Sequence, residues 1–140
     1  MKILLAADGS KYTQKALDFI AAHRHLLNQQ GELLVLHVQM PLLTGFNVIL
    51  GFDKAQELHA IEAEKIFKSV KKFLDEHAIK FRCLTAIGSI VKEIVDSAKQ
   101  EHAQLIVMGT HGRDLVGRAL MGSVAQRVVA QTDVPVLLVK

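Results

Sequence analysis

Five strand-length apolar runs alternate with four helix-length segments along this chain, and that alternation restricts the fold more than any other feature. Lys2 to Ala7, Glu32 to Val38, Lys80 to Ala86, Gln104 to Met108 and Val134 to Val139 read as strands. Between them, Ser10 is placed to cap a helix from Lys11 to about Asn28, with Ala16, Leu17, Ile20, Leu26 and Leu27 along one side. Asp53 opens a long helix to about His77, with Leu58, Ile61, Ile66, Val70, Phe73 and Leu74 on its apolar side. Ser89 caps a helix to about Glu101, and Ser123 begins a last one to about Thr132. Such a pattern predicts an α/β fold: a mostly parallel five-stranded sheet with helices on both faces. The charges in the third run place it at an edge.

At 140 residues, 50% of them hydrophobic and 22% charged, the chain fits one compact domain over residues 1–140. The apolar runs fall far short of the roughly 18 residues that a membrane span needs, so no membrane association is expected. The N-terminus shows no leader pattern, and the lone Cys83 reads as a small buried hydrophobe in a reducing compartment, so a cytoplasmic location is expected. The net charge of +3 suits an anionic ligand. Scattered basic residues and 5% aromatics offer no stacking platform, so no nucleic-acid partner is expected. The connection from Gln39 to Phe52 is long and unusually apolar; a lid over a ligand, a partner contact and a segment packed on its own domain all fit it.

Ligands on sheets of this class bind at the carboxyl ends of the strands, where the winding changes direction. After the fourth strand stands MGTHGRDLVGRALMGSVAQ, Met108 to Gln126, with four of the nine glycines. Small residues there allow close backbone approach, and amides at a helix start favour anions. Gly112 to Ala119 imitates a P-loop, but Arg118 replaces its lysine and Ala119 its hydroxyl, which excludes that motif. The first strand is followed by Asp8-Gly9-Ser10 rather than a G-x-G-x-x-G turn, which excludes the dinucleotide fingerprint.

Gly109, Gly112 and Gly122-Ser123 form G-x2-G-x9-G-[ST], which resembles the phosphate-binding signature of the universal stress protein family in its ATP-binding branch. KILLAADGSKYTQKAL, LLVLHV and VPVLLVK resemble that family's first strand, turn and helix, its second strand and its closing strand. The resemblance implies a Rossmann-like fold of the adenine nucleotide alpha hydrolase-like kind, with strand order 3-2-1-4-5 and Asp8 brought towards the glycine segment. It implies ATP as ligand, with Asp8 at the adenine, the Ala6 and Ala7 backbone alongside and Val38 near the base. Met108 and Gly109 would flank the ribose; Gly112, Gly122, Ser123 and Val124 would hold phosphates. It also implies a homodimer paired through Val134 to Val139.

From the residues alone, Asp8 reads first as a turn or cap residue ahead of the first helix, and the family resemblance turns that reading towards the ligand. The Gly122, Ser123 and Val124 amides are expected to be unpaired first-turn donors. Arg113 and Arg118 could lend charge to the phosphates, and His111 a contact. The seven histidines have no metal-ligand spacing, so no protein-only metal site is expected; Mg²⁺ would sit on the nucleotide's own phosphates. The expected function is a nucleotide-binding stress-response or signalling protein, with occupancy as the signal and little or no hydrolysis. The alternative is a slow ATPase or nucleotide-transferring enzyme using His111 or Arg113.

Overall fold

The computed structural model describes residues 1–28, 30–41, 51–112 and 121–140. In chain order they form β1 (Lys2–Ala6), α1 (Lys11–Ala22), a 3-10 turn (Arg24–Leu26), β2 (Glu32–Gln39), α2 (Phe52–Glu76), β3 (Phe81–Ile87), α3 (Ile90–Gln100), β4 (Leu105–Gly109), α4 (Ser123–Gln131) and β5 (Val136–Val139). All strand pairs are parallel, in the order β3-β2-β1-β4-β5. The expected sheet and the edge position of β3 are both found.

Alternate side chains of the inner strands enter two separate cores, which is why these strands read as unbroken apolar runs. Ile3 and Leu5 of β1, Leu33 and Val35 of β2 and Val107 of β4 pack with Leu17 and Ile20 of α1 and Phe67, Val70 and Leu74 of α2. On the other face, Leu4, Leu34, Leu36 and Ile106 pack with Val91 and Ile94 of α3 and Ala125 and Val128 of α4. β1 therefore feeds a helix on one face and β4 a helix on the other.

Several local expectations are corrected. The first helix stops at Ala22 rather than near Asn28. His23 leaves the helical region at φ −118°, ψ 40°, its ring stacks on Phe19, and its Nδ1 lies 2.8 Å from the Phe19 carbonyl. The 3-10 turn that follows brings Leu27, rather than Leu26, fully into the core. Leu58 and Ile61 fit the apolar period of α2 yet are exposed, whereas Ile66, Val70 and Leu74 are buried. Ser10 caps α1 by accepting from the Tyr12 and Thr13 amides; Ser89 holds the N-cap position of α3 without a side-chain cap bond. Cys83 is half-buried rather than buried, and burial raises its thiol pKa.

At the amino ends of the strands, Arg82 of β3 bonds Glu32 of β2 at 3.1 Å and Glu101 beyond α3 at 2.6 Å. The hydrogen bond from Arg82 holds the Glu101 carboxyl below its usual range. This exposed network fixes local geometry and contributes little stability.

Leu34 has no exposed surface and Ile61 is 59% exposed. Urea unfolding is therefore predicted to lose about 2 to 5 kcal/mol in Leu34→Ala, and within about 0.5 kcal/mol of nothing in Ile61→Ala. Equal losses would contradict the two-core assignment.

Candidate functional site

The strand order brings three chain segments to one edge. Ala6, Ala7 and Asp8 leave β1; Val38 stands near the end of β2; Met108 and Gly109 end β4 and lead into His111 and Gly112. The ladder runs slightly past the strands, with Ala7 N–H donating to the Leu36 carbonyl at 2.8 Å and Thr110 N–H to Val139 at 2.9 Å. Gly122 N–H donates to the Thr110 carbonyl at 2.7 Å, which folds the start of α4 back onto the end of β4. Between these segments lies a cleft of about 440 Å³, a size that suits a small ligand. Eleven of the twelve residues expected at the site line it; the twelfth, Arg113, lies outside the described residues, as do Gly117 and Arg118. So does most of the Gln39 to Phe52 connection.

Asp8 serves the turn and the cleft together. Its Oδ1 accepts from Ser10 N–H and from the Thr13 hydroxyl, both at 2.9 Å, while Asp8 N–H donates to Thr13 Oγ1 at 3.1 Å. Thr13 is buried, and Gly9 between Asp8 and the Ser10 cap adopts φ +76°, so the turn is fixed from both sides. With Oδ1 committed to this turn, Oδ2 faces the glycine segment: a Cβ at Gly112 would lie 2.9 Å from it. The turn role and the cleft role are two ends of one carboxylate.

Gly109 has a reason beyond any ligand. A Cβ there would lie 2.4 Å from the Cβ of Tyr12, so the end of β4 approaches the first turn of α1 closer than any side chain allows. His111 packs next to the same residue, its ring 5.2 Å from the Tyr12 ring, and its Nδ1 is 3.0 Å from the Thr110 hydroxyl.

At α4 one expectation is corrected. The Gly122 amide is not a spare donor, because the Thr110 carbonyl takes it. Gly122 is the N-cap at φ −69°, ψ 154°, and the first intrahelical bond runs from Gln126 N–H to its carbonyl. The amides of Ser123, Val124 and Ala125 precede that bond, and Ser123, Val124 and Ala125 all line the cleft. Helix geometry gives these donors no intrahelical acceptor, so this end of the cleft attracts an anion.

The opposite side of the cleft was not read from the sequence. His37 and Gln39 of β2 and His59 and Glu62 of α2 line it. The Gln39 side-chain amide donates to the His59 carbonyl at 3.0 Å and to Glu62 Oε2 at 3.2 Å, joining the strand end to the helix. The one available signal is the change from LLVL to polar residues at His37 and Gln39, near the end of a strand covered on both faces. Among the described residues no group of three His, Cys, Asp or Glu side chains is placed to hold a metal ion.

The universal stress protein family model matches residues 1–140. The chain is 32% identical over 144 residues to the universal stress protein MJ0531 of Methanocaldococcus jannaschii, covering 99% of this chain and 81% of that protein. The solved structure of MJ0577 from the same organism superposes with a TM-score of 0.85 at 29% identity, covering 99% of this chain and 94% of that one. A universal stress protein from Archaeoglobus fulgidus, solved in complex with dAMP, has the same fold at a TM-score of 0.72 and 22% identity, covering 100% and 98% of the two chains.

The approach of Gly109 to Tyr12 generates a prediction. Gly109→Ala is expected to lose about 1 to 3 kcal/mol in urea unfolding, because two backbone elements must separate. A loss below about 0.5 kcal/mol would show that the contact yields freely.

Proposed function

The chain belongs to the universal stress protein family, and from that premise we propose that it binds ATP, or a closely related adenine nucleotide, in the cleft above β1 and β4. The observation that carries this reading is the placement of the Ser123 and Val124 amides, ahead of the first bond of α4, at one end of a cleft with an apolar floor. The dAMP complex of a protein with the same fold supports an adenine nucleotide as the ligand class. In this reading phosphates lie at Gly112, Ser123 and Val124, the ribose near Met108 and Gly109, and the base towards Val38 and the β1 backbone at Ala6 and Ala7. Gly122 contributes its N-cap geometry rather than its amide.

Asp8 Oδ2 beside Gly112 puts a negative charge next to the proposed phosphate path. Mg²⁺ is proposed to enter on the nucleotide's own phosphates, whose oxygens are hard ligands for it. Nucleotide occupancy, with little or no hydrolysis, is the proposed signal, and the cytoplasm the proposed location. Among the described residues β5 pairs with β4 alone, and its half-buried residues Val136 to Val139 leave an apolar edge. That edge supports a homodimer built through Val134 to Val139.

Titration calorimetry with Mg-ATP tests the reading. Saturable binding below millimolar nucleotide is predicted, and ATP at a hundred times its Kd is predicted to raise unfolding free energy by about 2.7 kcal/mol. ATP recovered intact after hours would agree with a switch. Folded, ligand-stripped protein that neither binds nor is stabilised at millimolar Mg-ATP would overturn the proposal.

A further inference from the structure

His37 has a clear assignment at one end of its ring and an unmet requirement at the other. Its residue exposure is 4%, and its Nδ1 lies 2.8 Å from the Ala7 carbonyl. A carbonyl only accepts, so Nδ1 carries the proton and donates; in the neutral ring Nε2 is then an acceptor. Among the described residues Nε2 is the one buried side-chain nitrogen or oxygen without a hydrogen-bond partner. Buried acceptors left unsatisfied are rare and costly, and binding sites are where such exceptions gather. Phe67 packs edge-on to the ring at 6.3 Å and offers no donor.

The position of His37 in the sheet indicates which part of a ligand could meet it. It lines the cleft from β2, and β1 separates β2 from β4. Neighbouring strands lie about 4.8 Å apart, so β2 is roughly 10 Å across the cleft from the strand that leads to the anion-attracting start of α4. A nucleotide with phosphates at Ser123 and Val124 therefore extends its base, not its sugar, towards β2.

We propose that His37 Nε2 accepts a hydrogen bond from the exocyclic amine of the bound base, so that His37 selects aminopurines; this rests on the nucleotide reading above. His37 lines the cleft, and its unmet Nε2 is the acceptor that it offers there. Because the cost of burying Nε2 is already present in the free protein, the new bond is not offset by stripping water from that nitrogen. A base without a donor at this place leaves the nitrogen as it was and loses the gain.

The test compares ATP with purine riboside 5′-triphosphate, which lacks only the amine, on wild type and on His37→Asn. The asparagine amide can reproduce the Nδ1 donor to Ala7 but has nothing at the Nε2 position. Wild type is expected to bind ATP about tenfold or more tighter than the analogue, and His37→Asn to weaken ATP to the analogue's level while leaving the analogue unchanged. Equal affinities in wild type, or equal losses for both ligands in His37→Asn, would overturn the inference while leaving nucleotide binding intact. Absence of binding by either triphosphate would instead overturn the functional reading and this inference with it. If the variant fails to fold, ¹⁵N spectra of wild-type His37 decide: its Nε2 resonance should shift with ATP and not with the analogue, and identical responses would refute the assignment.

Discussion

The parallel pairing of β1 with β4 is the constraint on which the rest of this structure depends. Parallel neighbours cannot be joined by a tight turn, so each strand hands the chain to a helix on one face. β1 leads to α1 and onward to β2; β4 leads through the glycine segment to α4 and onward to β5. Because the two paths part in opposite directions, no helix among the described residues closes the space over the ends of β1 and β4. The cleft is a consequence of connectivity, and the side chains decide only what it holds.

What the cleft holds is set by small residues and by backbone. Ala6 and Ala7 end β1 with little side chain, Gly109 admits Tyr12, and Gly112 leaves room for Asp8 Oδ2. The charges are placed as economically: one oxygen of Asp8 builds the turn into α1, and the start of α4 presents the positive end of its dipole, with no lysine among the described residues that line the cleft.

The strands and their order of occurrence were legible because each inner strand is covered on both faces and must be apolar throughout, as Leu33 to Leu36 show. The strand order came from the family resemblance, since alternation alone fixes the connections and not the neighbours. Half of the cleft's lining was legible for the same reason, through the glycine spacing and the matching first strand and turn. Local features that compete with periodicity were not. His23 ends α1 in the middle of a pattern that continues to Leu27, and Leu58 and Ile61 keep the helical period while remaining exposed. The Gly122 amide looked like a free donor in the sequence and is used by Thr110, a contact between residues 12 apart that no local rule predicts. His37, Gln39, His59 and Glu62 were missed because their meeting depends on the packing of α2 against β2.

In the proposed nucleotide complex the first-turn amides of α4 hold a phosphate. Residue-resolved amide hydrogen exchange, with Mg-ATP and with adenosine, measures this directly. Exchange at Ser123 and Val124 is predicted to slow with ATP and not with adenosine, whereas protection at those two amides that is absent with ATP, or equal for both ligands, would contradict this placement of the phosphate.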